Sequence, residues 1–388
     1  MLKYVSADWI FPVSSPPLRN GAISVDESGE IINIFTAEQM SEINVTPQKY
    51  TGAIVPGFIN THCHLELSHM VGQIPEQTGL VNFVQSVIKS RSAEAEQIEL
   101  SMQNADQQMF NNGIVAVGDI SNQITSKGVK QQSKIYYYTF IEALSFNPER
   151  ASAVMNDVTD IKNHFSPLPA SVVPHAPYSV SPELFRLINE AAEKDNAFLS
   201  IHNQETTDEN LFFENKSGGF LDLYKFLGLN ISFFEPSGKT SLQTWLPYIT
   251  KQKTLLVHNT VSNQDDITFA KRNHQNLYWC LCPQANLYIE NSLPDVDLFI
   301  RENLKITIGT DSLASNRQLN ILAEMKTLQE HKKVDFEKLL QWATINGAEF
   351  LGLDIQLGTM EPGKRPGLNL IQLSEDFTIE SDQVIKLA

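Results

Sequence analysis

Residues 56–64 read PGFINTHCH, a short apolar run that ends in two histidines one residue apart. Side chains at positions i and i+2 of a β-strand point to the same side, so the His62 and His64 imidazoles can reach one metal ion while Cys63 points elsewhere. The stretch therefore predicts a strand with potential metal ligands at its carboxyl end.

Seven further apolar runs follow, and most of them precede a helix-like segment. The eight runs cover residues 57–62, 114–119, 135–141, 171–175, 197–202, 254–258, 277–282 and 305–309. Eight strand–helix pairs over about 300 residues are typical of a (β/α)8 barrel. A doubly wound open sheet shares this alternation but usually has fewer strands, and no GxGxxG or phosphate-loop pattern occurs. The runs therefore predict an α/β fold with a TIM-type barrel.

The two ends of the chain differ from its middle in their sequence pattern. Two short β-type runs flank the turn residues 26–29, which is typical of a hairpin. Residues 355–388 show the same pattern of short β-type runs around turn residues. We therefore predict three segments: residues 1–55 and 355–388 together form a small β-sandwich domain, and residues 56–354 form the barrel.

The amino-acid composition of the chain limits which classes of molecule it is expected to bind. The 388 residues contain 29 Lys and Arg against 45 Asp and Glu, a formal net charge of −16. A uniformly acidic surface repels phosphate backbones and anionic head groups, so we expect neither a nucleic-acid nor a membrane partner. Three cysteines make no secreted-type disulfide framework, and we find neither a signal peptide nor an 18-residue apolar run. These features predict a cytoplasmic protein.

Three more polar residues stand at the carboxyl ends of predicted strands: His202, His258 and Asp311. Active sites of this barrel are built at that face, where the strand ends converge. Taken singly, a buried histidine is more often a hydrogen-bonded core residue than a ligand. Four strand ends of the same kind instead favour a metal site.

Several motifs occur in an order that resembles the amidohydrolase superfamily. PGFINTHCH is followed by His202 with Glu205 three residues later, then by His258, and then by GTDS at residues 309–312. Within that superfamily the chain is similar to the aminohydrolase branch of chlorohydrolase-like and adenosine-type deaminases. HCHLELSH at residues 62–69 is also similar to aminodeoxyfutalosine deaminases.

The resemblance implies a single divalent ion bound by His62, His64, His202 and Asp311. Zinc is expected, with iron or manganese as alternatives because such a donor set accepts all three. Relatives with two metals carry a lysine at the end of the fourth strand, and none stands in VVPHAPYS at residues 172–179, which favours a mononuclear site.

The resemblance also implies the catalytic roles. His258 orients the attacking water, Asp311 accepts its proton, and Glu205 shuttles protons to the substrate. His175 and Glu66 are expected to contact the substrate. Alternatively, His175 is a buried histidine bonded to a carbonyl and Glu66 a solvated loop carboxylate.

We therefore predict an enzyme that hydrolyses a small molecule, replacing the exocyclic amine of a purine-like heterocycle by a carbonyl and releasing ammonia. One alternative is hydrolysis of an amide, a cyclic amide or a chlorinated heterocycle at the same site. Another is a barrel that serves as a non-catalytic scaffold. The resemblance to the family implies a homodimer, and no motif in this sequence does so independently. The remaining histidines, at positions 69, 164, 274 and 331, are interpreted as surface residues.

Overall fold

The chain is described by a computed structural model that covers residues 2–388. Its strands, in chain order, are β1 (Lys3–Ile10), β2 (Leu18–Arg19), β3 (Ala22–Val25), β4 (Ile31–Phe35), β5 (Gln48–Pro56), β6 (Phe58–Cys63), β7 (Ile114–Ser121), β8 (Tyr136–Ala143), β9 (Ala170–Pro174), β10 (Leu199–Asn203), β11 (Thr254–His258), β12 (Leu277–Leu281), β13 (Ile306–Ile308), β14 (Leu368–Ile371) and β15 (Ile385–Lys386).

The helices alternate with the strands of the middle segment. They are α1 (Ala37–Glu42), α2 (Leu80–Ser90), α3 (Ala95–Asn111), α4 (Lys127–Gln132), α5 (Ala151–His164), α6 (Pro182–Asp195), α7 (Thr207–Asn215), α8 (Phe220–Phe226), α9 (Ser241–Trp245), α10 (Gln264–Asn273), α11 (Pro283–Glu290), α12 (Val296–Arg301), α13 (Ile321–Lys332), α14 (Phe336–Ala343) and α15 (Ile345–Leu351). Short 3-10 turns cover Leu65–Met70, Pro148–Arg150, Pro177–Ser179 and Leu246–Tyr248.

Eight parallel strands, β6 to β13, form the core of the molecule. They pair as two four-stranded sheets, in the orders β6-β7-β8-β9 and β10-β11-β12-β13. Backbone hydrogen bonds cross both seams between the sheets: the His202 amide donates to the His175 carbonyl at 3.0 Å, and the Asp311 amide donates to the His62 carbonyl at 3.1 Å. Each strand overlaps one of the eight predicted runs, and the predicted (β/α)8 architecture is confirmed.

Helix α6 illustrates why the segments between strands are helical. Ser181 caps its first turn by accepting a hydrogen bond from the Leu184 amide, and a proline occupies the first helical position. The helix stops where Asn196 adopts a left-handed conformation, with φ of 49°. Its apolar side, which includes Phe185 and Ile188, is buried against the barrel.

The remaining strands form one mixed sheet of seven strands that draws on both chain ends. Its order is β15-β14-β5-β1-β3-β4, with β2 paired to β1. Strand β14 pairs antiparallel with β5, and β5 pairs parallel with β1. The predicted small β domain built from both chain ends is confirmed, and its seven strands belong to one hydrogen-bonded sheet in which β14 extends the edge of β5. The segment boundaries at residues 56 and 354 stay a prediction.

The sheet joins the barrel through Gly57, which connects β5 to β6. A Cβ atom at this position would lie 2.4 Å from the Pro366 carbonyl oxygen and 2.4 Å from Cγ1 of Val115. Only glycine allows such a close approach of the two backbones. The junction therefore holds β6, and the histidines at its end, against the small sheet.

Within residues 2–388 the helices are too short or too polar to cross a lipid bilayer. Cys63, Cys280 and Cys282 are free thiols and are buried, as expected for core residues.

Candidate metal centre

The first two predicted ligands stand at the carboxyl end of β6. His62 is fully buried and its neighbour Cys63 packs into the hydrophobic core, so the alternation of the strand separates the two as predicted. Strand β13 passes very close to them. A Cβ atom on Gly309 would lie 2.8 Å from Cβ of His62, so a larger residue would push the strands apart.

The four predicted ligands converge on one point. Nε2 of His64 lies 3.1 Å from Nε2 of His62, 3.3 Å from Nε2 of His202 and 3.3 Å from Oδ1 of Asp311. Nε2 of His62 lies 3.5 Å from the same Asp311 oxygen. Ligand atoms at about 2.1 Å from a tetrahedral ion are separated from each other by about 3.4 Å. The spacing of these side chains therefore fits one divalent ion.

His258 belongs to the same cluster. Ligand atoms of His62, His202, His258 and Asp311 all lie within 4.8 Å of one another, so this set overlaps the predicted one. Nε2 of His258 also lies 3.7 Å from Oε1 of Glu205. We favour His64 as the fourth ligand because Nε2 of His64 lies closer to the other ligand atoms and because Nε2 of His258 faces the carboxyl group of Glu205.

The protonation states that burial and neighbouring groups favour in the cluster suit the binding of a cation. Burial lowers the pKa of each of the four histidines, and that of His258 falls to about 3. Burial would raise the pKa of Asp311, but the hydrogen bond from His62 and the nearby imidazoles outweigh it and hold that pKa well below its usual range. Neutral imidazoles and an ionised carboxylate are the forms that bind a divalent metal.

Two residues of the cluster have an unusual backbone conformation. His258 and Asp311 lie in the left-handed region, with φ of 74° and 57°. Non-glycine residues in this region are uncommon and cluster at functional sites. The sequence contains no signal for this feature, since both residues end ordinary apolar runs.

Two residues that support Asp311 were not predicted from the sequence. Ser315 donates a hydrogen bond to Oδ2 of Asp311. Asn60 joins β6 to the loop after β13: its Nδ2 donates to Oγ1 of Thr310 at 2.8 Å, and its Oδ1 accepts from the Thr310 amide at 3.1 Å. A polar residue inside the apolar run of residues 56–64 is the signal that could have identified Asn60, whereas nothing in the sequence points to Ser315.

Glu205 lies in the loop after β10, beside the cluster. It is 4% exposed, and burial raises its pKa well above the usual range, with the charges of Asp311 and Glu209 adding to the effect. Glu209 positions the loop, because its carboxylate accepts hydrogen bonds from the amides of Gln204 at 2.9 Å and Glu205 at 3.4 Å. Burial therefore favours the protonated form of this carboxyl group, which lies next to His258.

A cavity opens above these side chains at the carboxyl-terminal face of the barrel. Its polar floor includes the ligand candidates His64, His202 and Asp311 and the residues His175, Glu205 and His258. Its wall is largely apolar and is formed by Leu67, Leu80, Phe83, Val84, Val87, Ile88, Leu144, Tyr178 and Ile289. An apolar pocket with a few convergent polar groups is the usual form of a small-molecule site.

His175 follows β9 and lines this cavity, in the position predicted for a substrate contact. Its Nδ1 lies 2.7 Å from Oγ of Ser179, so the hydroxyl fixes the orientation of the ring. Burial lowers the pKa of His175 well below its usual value, which favours the neutral imidazole.

Glu66 does not reach the cavity. It is buried, and its carboxylate accepts hydrogen bonds from the amide of Asn122 at 3.0 Å and the amide of Gln123 at 3.3 Å. These bonds tie the turn after β6 to the loop after β7. Glu66 therefore organises the loops, and this placement argues against the predicted substrate contact and against a solvated carboxylate.

Two of the four histidines interpreted as surface residues are buried, so that prediction is wrong for them. Nε2 of His69 lies 3.0 Å from the Arg91 carbonyl oxygen, and His274 is 4% exposed at the end of α10. Contacts from distant segments cover both, and no local pattern predicts such contacts.

A second group of potential ligands consists of Glu142, His175 and His202. It shares His202 with the first group, and Nδ1 of His202 already faces the His175 carbonyl oxygen at 2.8 Å. His202 is therefore not available to the second group, and only Glu142 and His175 remain as its potential ligands. This fits the prediction of a single ion.

The family model described as the amidohydrolase family matches residues 53–386. The adenosine deaminase of Helicobacter pylori (strain ATCC 700392 / 26695) is 27% identical over 334 residues, which cover 84% of this chain and 80% of that protein.

Solved structures show the same fold. The chain superposes with a TM-score of 0.81 on the crystal structure of Helicobacter pylori aminofutalosine deaminase in complex with methylthio-coformycin, at 23% identity and covering 97% of this chain and 93% of the other. The TM-score is 0.77 for an adenosine deaminase from Xanthomonas campestris with bound zinc, at 18% identity and covering 98% and 90% of the two chains.

Proposed function

The chain belongs to the amidohydrolase family, and from this membership and the geometry of the site we propose that it is a metal-dependent deaminase of adenosine-type substrates. It replaces the exocyclic amine of a purine-like ring by a carbonyl and releases ammonia. The observation that carries the proposal is the convergence of His62, His64, His202 and Asp311 next to the buried carboxyl group of Glu205. The relative named adenosine deaminase supports the same reaction.

In this proposal His62, His64, His202 and Asp311 hold the divalent ion. Zinc is the proposed ion because the donor set suits it and because a structural neighbour contains zinc. When bound, such an ion lowers the pKa of a water molecule to about 7 and so makes a nucleophile available at neutral pH.

The chain's own residues then direct the chemistry. His258 is neutral, since burial lowers its pKa to about 3, and it can hydrogen-bond the attacking water and orient it. Asp311 remains ionised and can accept the proton that the water loses. Burial raises the pKa of Glu205 and so favours its protonated form, which can give its proton to a ring nitrogen and make the adjacent carbon more electrophilic.

Proton transfer must also reach the leaving group. After the ring nitrogen has taken the proton of Glu205, the proton on Asp311 is available to the departing amine, which leaves as ammonia when the C–N bond breaks. The oxygen of the water stays on the ring carbon, and its second proton returns to Glu205, so the ring keeps a C=O group and both carboxyl groups regain their starting states. His175 lines the same cavity, and its neutral ring is placed to contact the substrate.

The experiment is deamination by the metal-loaded protein and by the variant Glu205→Gln. Ammonia release is measured with a panel of purines and purine nucleosides, and bound metal is measured alongside. We expect kcat/KM to fall by about 10²- to 10⁴-fold while the metal content stays unchanged. Glu302→Gln, which alters a surface ion pair with Lys271 at 2.8 Å, is the matched control.

Near-normal activity in Glu205→Gln would refute the proton-transfer role. Failure of the metal-loaded wild-type protein to release ammonia from every member of the panel would refute the proposed function itself.

The proposed location is the cytoplasm, and the three free, buried cysteines suit a reducing compartment. The substrate is a small molecule. A homodimer stays a prediction.

A further inference from the structure

The first barrel strand contains a β-bulge just before it supplies the ligand His64. Asn60 of β6 pairs with Val117 of β7 and Cys63 pairs with Asp119, so three steps along β6 match two steps along β7. A bulge of this kind interrupts the ladder of backbone hydrogen bonds and bends the bulged strand. The last residue of β6 in this ladder is Cys63, so strand pairing ends one residue before His64.

A side chain of β7 holds the segment that follows. Oδ1 of Asp119 accepts a hydrogen bond from the Leu65 amide at 2.8 Å, and both residues are fully buried. Leu65 comes directly after His64 in the chain. His64 therefore lies between two contacts with β7, the strand pairing at Cys63 and this hydrogen bond at Leu65.

Lys130 of α4 holds the Asp119 side chain in turn. Nζ of Lys130 lies 2.6 Å from Oδ2 of Asp119, the oxygen that does not bond the Leu65 amide. The same Nζ donates to Oγ of Ser121 and to Oγ1 of Thr139, each at 3.0 Å. These contacts restrict rotation of the Asp119 carboxylate, so its Oδ1 stays opposite the Leu65 amide.

Stability alone does not explain an ion pair at this place. Both charged side chains are fully buried, and replacing such a pair by apolar residues of similar volume is often neutral or stabilising. Apolar residues, however, could not accept the hydrogen bond from the Leu65 amide. The pair therefore contributes a geometry that packing alone would not provide.

The metal site is sensitive to that geometry. Nε2 of His64 lies within 3.3 Å of the other three ligand atoms, and metal–ligand distances tolerate deviations of only about 0.2 Å. A small displacement of the chain at Leu65 is therefore sufficient to move the imidazole of His64 out of reach of the ion.

We propose that Asp119, held by Lys130, is a positioning residue that fixes His64 in the geometry required for metal binding. This inference rests on the proposed deaminase function and deepens it, because it identifies what holds one ligand in place. Asp119 acts through the Leu65 amide rather than through contact with the ion or the substrate.

Two double variants test this role with both charges removed. Lys130→Met/Asp119→Asn keeps an oxygen that can accept from the Leu65 amide, whereas Lys130→Met/Asp119→Leu has a side chain of similar size without an acceptor. Zinc affinity is measured by titration of the metal-free proteins. We expect the first variant to bind zinc within about threefold of the wild-type affinity and the second to bind about 10- to 100-fold more weakly.

The visible absorption spectrum of the Co²⁺-loaded proteins reports the coordination of the ion. We expect the first variant to reproduce the wild-type spectrum and the second to change it, because displacement of His64 alters the geometry around the ion. Lys130→Met/Asp119→Val repeats the comparison with a smaller side chain that also lacks an acceptor, in case the leucine substitution prevents folding.

Ile23→Ala is the control for general destabilisation. Ile23 is fully buried in the small sheet, so this substitution creates a cavity away from the metal cluster. We expect this control to lower stability in urea unfolding while zinc affinity and the Co²⁺ spectrum stay as in the wild-type protein.

Equal zinc affinities and identical Co²⁺ spectra in the variants with and without the acceptor would overturn the positioning role. A similar loss of zinc affinity in Ile23→Ala would also overturn it, because destabilisation would then account for the effect. Both results leave the deaminase function intact if the metal-loaded wild-type protein releases ammonia from a purine nucleoside. Failure of the wild-type protein to bind zinc would overturn both proposals.

Discussion

Replacement of Asn60 by alanine tests how the barrel seam supports the metal centre. The Asn60 side chain both donates to Oγ1 of Thr310 and accepts from the Thr310 amide, at 2.8 and 3.1 Å, and both groups are fully buried. Thr310 immediately precedes Asp311, so the pair of bonds connects the strand that carries His62 to the loop that carries the carboxylate ligand.

The size of the effect follows from these contacts. Each of the two hydrogen bonds contributes about 1 kcal/mol net. Oγ1 of Thr310 keeps another acceptor, the Asp311 carbonyl oxygen at 3.3 Å, and the Thr310 amide keeps the His62 carbonyl oxygen at 3.0 Å, so neither group is left without a partner. We therefore expect Asn60→Ala to lower the free energy of unfolding by about 2 kcal/mol. Displacement of Asp311 should weaken metal binding by about 10- to 100-fold.

Urea unfolding of the metal-loaded proteins and titration of the metal-free proteins with zinc measure the two effects. Asn273→Ala is the matched control, because Nδ2 of this exposed residue donates only to the Phe269 carbonyl on its own helix at 2.8 Å. We expect the control to change stability by less than about 0.5 kcal/mol. A loss below about 1 kcal/mol for Asn60→Ala, with zinc affinity unchanged, would refute the reasoning.

Two further predictions concern buried charges. Nζ of Lys130 lies 2.6 Å from Oδ2 of Asp119, and both side chains are fully buried, so Lys130→Met should cost about 3–5 kcal/mol in urea unfolding by leaving the carboxylate unpaired. The double variant Lys130→Met/Asp119→Leu should regain part of this loss, and a double variant as unstable as the single one would contradict the explanation. Burial raises the pKa of Glu324 to about 8 from 4.5, so the folded state keeps a proton that the unfolded state releases. Stability relative to Glu324→Gln should therefore fall as pH rises from about 4.5 to about 8, by up to about 1.4 kcal/mol per pH unit, and a difference that is constant over this range would contradict the assignment.

Local patterns in the sequence were sufficient to predict the barrel. Each apolar run corresponds to one strand, because a strand buried on both faces must be apolar throughout its short length. The arrangement of the small sheet was not predictable in the same way. Pairing of β14 with β5 joins residues more than 300 positions apart, and alternation along either strand does not reveal which edge it will extend.

The metal cluster was predictable because its members occupy equivalent places, at the ends of strands. The same reasoning applies to Glu142, but the run assigned to residues 135–141 stops one residue short of it, whereas β8 continues to Ala143. An error of two residues in a strand end therefore concealed a cavity residue. The burial of Glu66 was not predictable for another reason: its partners include backbone amides of the loop after β7, and the sequence does not reveal hydrogen bonds to a distant backbone.

The most direct test of the central claim is the metal content of the purified chain, measured by inductively coupled plasma mass spectrometry in the wild-type protein and in His64→Ala. We expect one equivalent of divalent metal per wild-type chain, falling below about 0.1 in the variant, because Nε2 of His64 lies within 3.3 Å of the other three ligand atoms. Retention of a full equivalent by His64→Ala, or no metal in the wild-type chain after incubation with zinc, would contradict the assignment of this cluster as the metal centre.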